Sequence, residues 1–485
     1  VSISLVLNNN GVISKAKDAK NSTEKGQAQD EVNLAINYLQ IEDATSTLTQ
    51  EERRKILEDE LRKISADSSV TISGDGFKII HKKYEFFVDE DLNVSDSEKE
   101  FNASEWDKKA APEDIFIWKS DDPNNADYGV IIGYKKNVDN YTILRFPSRC
   151  TKLEPRYSSD IYKDTGDDEP TVRSYTKNIL KVEMPDTIKE LGYGAFSGSS
   201  KNSLHQYGFI FSSLERVELS KSLSKIEDYA FSVCENLKYI EIPDNITEIG
   251  DDAFSGCEKL NIEIPDNITK IGSGAFSGCR TLESITIPEG VREISDSSFA
   301  YCSNLQQINL PEGLEKIGSG AFSECGTLES ITIPAGIREI SAVCFRDCEN
   351  LQQINFPDGL EKIGDQAFCS CDALKSITIP EGVKEISAGC FRSCENLQQI
   401  NLPEGLEKIG EKAFYACDAL KSITIPKNVK EIGEECFAFS SNLQQINLPE
   451  GLESIGVYAF SCTRSLSEII IPASVKIIGY WAFNG

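Results

Sequence analysis

Cysteines are the residues of this sequence whose type and spacing come closest to a chemical motif. There are fifteen among 485 residues, an odd number that cannot pair completely within one chain. Cys344 with Cys348, and Cys390 with Cys394, have the C-x-x-x-C spacing that zinc ligands can adopt. A recurring phenylalanine separates the members of each pair, however, and the two pairs lie two repeats apart. We therefore interpret these cysteines as small, nearly apolar core residues and expect no zinc site.

Histidine is scarce, with only His81 and His205 in the whole chain. A Ser-His-Asp site, a Cys-His site or a multi-histidine metal site is therefore not expected. The acidic stretch at residues 165–169 could attract calcium, but it lacks the spaced ligands of a calcium-binding loop. We interpret it as a solvated turn, and we expect no enzymatic activity, no cofactor and no metal.

The charge balance narrows the choice of partner. A formal net charge of -28 argues against nucleic acid, whose phosphates need a basic surface, and against charge-driven docking on an anionic membrane. No stretch reaches the ~18 apolar residues that span a bilayer. The first residues, VSISLVL, lack an initiator Met and are typical of the end of a processed hydrophobic segment. The alternative is an ordinary amphipathic helix start.

An internal repeat dominates the sequence. Phenylalanines recur every 23 residues, with one interval of 22, and Phe196 precedes them across an insertion. The recurring residues are Phe231, Phe254, Phe276, Phe299, Phe322, Phe345, Phe368, Phe391, Phe414, Phe437, Phe460 and Phe483. Nine cysteines lie three residues after a phenylalanine: Cys234, Cys257, Cys279, Cys302, Cys325, Cys348, Cys371, Cys394 and Cys417. Such a fixed period predicts stacked structural units that share one core.

The residues of one unit predict its shape. Ile285 and Ile287 alternate with polar residues, which indicates a strand with one buried face. Pro288 ends the strand. Four glycines are expected to supply turns with positive φ; they are Gly290, Gly318, Gly364 and Gly410. The following apolar residues return inward, so each coil closes around its own interior and coils stack at ~4.8 Å per strand.

Units of two kinds alternate, Leu-x-Ser-Ile-Thr-Ile-Pro and Leu-Gln-Gln-Ile-Asn-Leu-Pro, so the true period is 46 residues. Two columns of stacked charges alternate in sign. One runs Arg292, Glu315, Arg338, Glu361, Lys384, Glu407, Lys430, Glu453, Lys476, and the other runs Glu293, Lys316, Glu339, Lys362, Glu385, Lys408, Glu431. We expect each charge to pair with its neighbour and so to fix the register of nearly identical coils.

The run Ile-x-Ile-Pro-x-x-Val-x-x-Ile-Gly-x-x-Ala-Phe-x-x-Cys closely resembles the BspA-like (Treponema-type) leucine-rich repeat. The resemblance covers residues 178–485. It implies a curved solenoid with short strands on one face. It also implies a secreted or cell-surface protein, mainly of host-associated bacteria, that adheres to matrix proteins, other cells or glycans. It carries over no catalytic residues.

The N-terminal region resembles a different family. Residues 8–20 and the helix-like residues 28–39 are similar to the segment that follows the membrane helix of type IV pilin-like proteins. That resemblance implies membrane attachment or pilus-like assembly through an N-terminal helix that is missing here. Residue patterns further predict a helix at 51–64 and strands at 70–72, 77–80 and 84–88.

The predicted fold class is therefore α+β, with a right-handed leucine-rich-repeat solenoid of 23-residue coils after a small pilin-like domain. Residues 1–95 form the pilin-like helix and small α/β domain, and residues 96–112 form a linker. Residues 113–177 form the N-terminal cap of the solenoid, with a loop insertion, and residues 178–485 form the solenoid itself.

Candidate ligand-binding residues lie in two kinds of place. The exposed strand columns offer repeated amides, namely Gln307, Asn309, Gln353, Asn355, Gln399 and Asn401. Irregular segments offer Tyr157, Tyr162, Tyr175, His205 and Tyr207, because loops on rigid scaffolds often carry recognition. The alternatives are a solvated sheet face that binds nothing and tolerated insertions.

The leading hypothesis is a non-enzymatic adhesion protein outside the cell with a protein or glycan ligand. The alternative is a structural pilin-like or surface-assembly subunit in which the solenoid is a spacer. An enzyme is the third hypothesis, and no paired catalytic residues outside the repeated positions support it.

Overall fold

A computed structural model describes residues 50–64, 69–73, 76–81, 84–88, 94–95, 116–120, 122–126, 128–134, 143–153, 178–197 and 211–485, together with Val32, Ala35 and Ile36. The chain divides into two compact units, residues 1–110 and 111–485. In the described part of the chain, no helix has the length and apolar character needed to cross a bilayer.

The first unit combines a helix with an antiparallel sheet. Helix α1 (Gln50–Ile64) precedes β1 (Ser69–Ser73), β2 (Gly76–His81), β3 (Tyr84–Val88) and β4 (Val94–Ser95), which pair in chain order. Leu57 and Leu61 lie one turn apart on α1 and are fully buried with strand residues Val70 and Ile79. The helix and the first three strands confirm the predictions made for this region. Residues 8–20, which carry the pilin-like resemblance, lie outside the described residues, as does most of 28–39.

The second unit begins with four short strands. They are β5 (Phe116–Trp118), β6 (Val130–Tyr134), β7 (Ile143–Arg145) and β8 (Lys152–Leu153). Strand β5 is antiparallel to β6, whereas β6 pairs in parallel with β8. The described residues from β7 onward form a right-handed solenoid. Each of its coils adds a strand to one or both of two parallel strand columns.

The first strand column follows β7. It contains β9 (Lys181–Glu183), β11 (Arg216–Glu218), β13 (Tyr239–Ile240), β16 (Ser284–Thr286), β18 (Gln307–Asn309), β20 (Ser330–Thr332), β22 (Gln353–Asn355), β24 (Ser376–Thr378), β26 (Gln399–Asn401), β28 (Ser422–Thr424) and β30 (Gln445–Asn447). From β16 onward these strands pair two by two, as in β16 with β18 and β20 with β22. The 46-residue period of the sequence is therefore visible in the backbone pairing.

The second strand column follows β6 and β8. It contains β10 (Glu190–Leu191), β12 (Lys225–Ile226), β14 (Glu248–Ile249), β15 (Lys270–Ile271), β17 (Glu293–Ile294), β19 (Lys316–Ile317), β21 (Glu339–Ile340), β23 (Lys362–Ile363), β25 (Glu385–Ile386), β27 (Lys408–Ile409), β29 (Glu431–Ile432), β31 (Ser454–Ile455) and β32 (Ile477–Ile478). These strands form longer sheets, the last with seven strands.

The recurring phenylalanines form the centre of the core. Their rings stack in nearly parallel planes. For example, the ring centroid of Phe368 lies 5.5 Å from that of Phe345 and 5.5 Å from that of Phe391. Every recurring ring from Phe196 to Phe460 is buried. The interior of each coil is thus completed by its neighbours, as the fixed period predicts.

The prediction for the glycines was wrong. None of Gly290, Gly318, Gly364 and Gly410 has positive φ. A Cβ at Gly364 would instead lie 2.6 Å from the backbone nitrogen of Ala342 on the preceding coil, so glycine is needed there for close approach. From Phe231 onward, positive φ falls two residues before and two residues after each recurring phenylalanine, mostly on residues other than glycine, such as Gln366 and Ser370.

Candidate ligand-binding surface

The exposed side of the first strand column is a regular polar surface. In β16 and β18 the middle isoleucines are buried and the residues on either side are exposed, because side chains alternate along a strand. The structure therefore places Gln307, Asn309, Gln353, Asn355, Gln399 and Asn401 in two columns on one face. Tyr157, Tyr162, Tyr175, His205 and Tyr207 lie outside the described residues.

The amides of this strand face hold one another in place. Gln307 Nε2 donates a hydrogen bond to Asn309 Oδ1 at 3.2 Å, and Asn309 Nδ2 donates to Thr286 Oγ1 at 3.1 Å. The same arrangement links Gln353, Asn355 and Thr332, then Gln399, Asn401 and Thr378, then Gln445, Asn447 and Thr424. Each amide has further donor and acceptor sites, so the face offers oriented groups at regular intervals.

The charge columns behave differently from each other. In the column that begins at Glu293, ion pairs form within three successive 46-residue units, at 2.5 Å for Lys316 with Glu293, 2.7 Å for Lys362 with Glu339 and 2.6 Å for Lys408 with Glu385. In the neighbouring column, Arg338 Nη1 donates to the carbonyl of Gly359 on the next coil at 3.0 Å. At the end of the same column, Lys476 pairs with Glu453 at 3.1 Å. The expectation that every charge pairs with its neighbour is therefore correct for alternate contacts of one column and for the last contact of the other.

This difference gives a testable prediction about register. Lys362→Gln is expected to lower the free energy of unfolding by up to about 1 kcal/mol in low salt, because it removes the ion pair with Glu339. High salt should abolish the difference, since both side chains are exposed. The matched control is Glu361→Gln, one residue away, which has no ion-pair partner in the described structure. Equal effects of the two substitutions in thermal unfolding would contradict the pairing.

The cysteine column is a buried hydrogen-bonded row. Each thiol donates to the carbonyl of the recurring phenylalanine on the preceding coil, as Cys394 Sγ does to Phe368 at 3.1 Å. Where serine replaces cysteine, Ser440 Oγ donates in the same way to Phe414 at 2.8 Å. Burial raises the pKa of Cys302 to about 12. These groups are therefore neutral S–H donors at ordinary pH, and neutral thiols are neither nucleophiles nor metal ligands.

Thiol labelling tests this arrangement. Fourteen of the fifteen cysteines are buried, and Cys462 is partly exposed. A maleimide reagent is expected to label about one thiol per native chain, at Cys462, because burial blocks access to the others. Mass spectrometry of the intact protein would count the labels, with guanidinium-unfolded protein as the control that labels all fifteen. Rapid labelling of several core cysteines in native protein would contradict the buried row.

Besides the strand face and the charge columns, the solenoid has a third surface, which the sequence reasoning missed. It consists of the exposed residues just before and after each recurring phenylalanine, and we call it the turn face. Unlike the strand face, it varies from coil to coil. Equivalent positions hold Gly278, Tyr301, Ser370 and Phe439. That irregularity within a regular repeat was the available signal, because side chains that differ between coils are not needed to build the stack.

The described residues contain no group of three or more His, Cys, Asp or Glu side chains placed to hold a metal ion. What the described surface does offer is hydrogen bonding along the strand face and aromatic and charged contacts on the turn face.

The search of solved structures found several leucine-rich-repeat proteins. A leucine-rich-repeat protein of Bacteroides ovatus is 23% identical, with 76% of this chain and 99% of that chain covered and a TM-score of 0.48. A leucine-rich cell surface protein of Faecalibacterium prausnitzii is 22% identical, with 79% and 96% covered and a TM-score of 0.37. The pneumococcal vaccine antigen PcpA is 19% identical, with 85% and 93% covered and a TM-score of 0.36. No curated protein gave a significant match.

The comparison with family models agrees with the repeat and its core. The model of the BspA type leucine-rich repeat region, which comprises six copies, matches residues 202–300, 269–381 and 361–485. Together these matches cover more than half of the chain. They coincide with the coils whose phenylalanines stack and whose cysteines form the buried row. The chain therefore belongs to the BspA-type leucine-rich-repeat family.

Proposed function

We propose that this chain is a non-enzymatic binding protein, displayed at the cell surface or secreted, that adheres to host, matrix or cell-surface ligands. The observation that carries the proposal is the strand face, on which identical amide groups repeat at fixed intervals and are oriented by their own hydrogen bonds. Membership in the BspA-type family supports the extracellular location, given what the resemblance implies.

The physical argument rests on preorganisation. Asn355 is held by Gln353 on its own strand and by Thr332 on the preceding coil, at 2.9 and 3.0 Å. Hydrogen bonding of a ligand to this amide therefore costs less side-chain entropy than bonding to a freely rotating group. Because the arrangement recurs every 46 residues, a ligand with its own repeat, such as a glycan chain or an extended peptide, can contact several equivalent groups at once.

The test is binding of the full chain to a defined glycan array and to immobilised fibronectin, laminin and collagen. Saturable binding to at least one of these ligands is expected. The double variant Asn355→Ala with Asn401→Ala should weaken it by about tenfold or more, because each lost amide bond costs roughly 1 kcal/mol. The matched control is Asn350→Ala with Asn396→Ala, since those amides donate to main-chain carbonyls of the preceding coil, Gly326 and Asp372.

A second variant lacks residues 197–209, the insertion that holds His205 and Tyr207. If binding requires the insertion and not the strand amides, the ligand contacts lie in the irregular segment. Absence of saturable binding to every ligand, with recovery of the chain in filaments, would replace this proposal by the structural-subunit alternative. Turnover of any substrate would contradict the non-enzymatic assignment.

A further inference from the structure

The turn face carries an aromatic pair that consists of an exposed phenylalanine and a partly buried tyrosine. Phe439 has 49% of its surface exposed, and its ring centroid lies 5.3 Å from that of Tyr415 on the preceding coil. Coils lie on both sides of Phe439, so its exposure does not come from an end of the stack. Most other coils fill its position with small or polar residues such as Gly278, Ser370 and Ser393, and one coil has Tyr301 there. The fold therefore does not require an apolar side chain there.

The backbone at Phe439 adds to this argument. Its φ is 63°, in the left-handed region that is unfavourable for bulky residues. A large apolar side chain in this conformation, facing water, costs free energy both in the backbone and in solvation. Burial against Tyr415 offsets these costs only in part, because about half of the side chain stays exposed. The exposed half points to an interaction outside the chain.

Acidic residues follow the cysteine row on the coil of Tyr415 and on the coils before it. Glu349, Asp372, Glu395 and Asp418 stand one residue after the cysteine row on four successive coils, and we call them the acidic column. All four charges are negative. In the column that runs from Glu293 to Glu431, by contrast, the charges alternate in sign. Burial and the neighbouring carboxylates of Glu395 and Glu349 raise the pKa of Asp372. The column therefore keeps a like-charge repulsion between successive coils.

The positive charge next to the pair is already engaged. The guanidinium of Arg392 lies 5.2 Å from the centroid of the Tyr415 ring, within the range of a cation–π contact. Arg392 thus supports the tyrosine ring from one side, and Phe439 packs against it from the other. The surface left for a partner is the aromatic pair itself, with the acidic column on the coil of Tyr415 and the three coils before it.

We propose that the Tyr415–Phe439 pair and the acidic column dock a basic protein segment that brings an apolar or aromatic side chain between lysines or arginines. An apolar centre with a charged rim is the usual anatomy of a protein interface, and complementary charge at the rim guides and orients the partner. The net charge of -28 favours a basic partner over an acidic one at long range. This proposal deepens the proposed function and rests on it, since it names a partner class for the binding protein.

The test uses the full chain and three synthetic peptides labelled with a fluorophore. The first is a twelve-residue peptide with two phenylalanines among lysines, the second has glutamates for the lysines, and the third has serines for the phenylalanines. Fluorescence anisotropy should show saturable binding of the first peptide only. Phe439→Ser, a residue that other coils carry at this position, should weaken that binding by about tenfold or more. Tyr239→Ser is the matched control, because Tyr239 is 52% exposed but lies in the first strand column.

Charge is tested separately with Asp372→Asn combined with Glu395→Gln. This variant should weaken binding several-fold at roughly 0.05 M salt and have little effect at roughly 0.5 M, because salt screens exposed charges. Thermal unfolding of each variant verifies that the fold is intact. Equal binding of all three peptides, an equal loss with Tyr239→Ser, or no effect of Phe439→Ser would overturn the docking proposal. If the docking proposal fails but the same chain still binds a glycan or matrix ligand, the proposed function stands.

Discussion

Replacing Phe368 by alanine is expected to lower the free energy of unfolding by about 4 kcal/mol, the usual cost of removing a buried aromatic side chain. The ring is fully buried between Phe345 and Phe391, and Phe356 contacts it edge-on at 6.0 Å. Coils contact only their neighbours, so the stack cannot fill the space with distant residues. Urea unfolding followed by circular dichroism measures the change.

The control for this substitution is Phe439→Ala, which removes the same side chain from an exposed position. It should change the free energy of unfolding by less than about 0.5 kcal/mol. The buried substitution should also broaden the transition or split it in two, since weakening one coil uncouples the coils on either side. Equal losses for the two variants would contradict the stacked core.

The core was predictable from sequence because burial repeats with the chain. Ile285 and Ile308 alternate with polar residues on equivalent strands, and both are buried in the structure. The same holds for the phenylalanine and cysteine columns, whose positions follow from a fixed period. A side chain that recurs in every coil has the same environment in every coil, so one correct assignment applies along the stack.

Local geometry was less predictable, because the period does not fix backbone angles. Gly364 has an ordinary φ and is required by a close approach between coils, whereas Ser370 has positive φ without being glycine. The ion pairs raised a similar difficulty. A column of alternating charges does not show that Lys362 contacts Glu339 while Arg338 contacts a main-chain carbonyl.

The candidate site was also predictable from the sequence only in part. The amides of the strand face follow from alternation, and the structure places Gln353 and Asn355 on one exposed surface. The hydrogen bonds that orient them depend on distances that no sequence pattern supplies. Phe439 was missed for a different reason. A repeat is recognised by what its units share, whereas this residue is informative because its unit departs from the others.

Gly364→Ala is the second substitution with a large expected effect, a loss of about 3 kcal/mol in the free energy of unfolding. The added Cβ would lie 2.6 Å from the backbone nitrogen of Ala342 and 2.9 Å from its Cα. Both atoms belong to the main chain of the preceding coil, so the two coils would have to separate. Forcing extra volume into a packed interior typically costs 1–3 kcal/mol, and more where backbone must move. Urea unfolding measures the loss.

The control for that prediction is Gly326→Ala, because a Cβ at Gly326 would have no heavy atom within 4 Å and its φ is not positive. This substitution should leave stability unchanged or raise it by up to about 1 kcal/mol, since alanine restricts the unfolded chain more than glycine does. A destabilisation by Gly326→Ala as large as that by Gly364→Ala would show that the two effects come from lost glycine flexibility. Contact between coils would then not explain them, and the glycine of the Ile-Gly step would lose its role in setting how closely the coils stack.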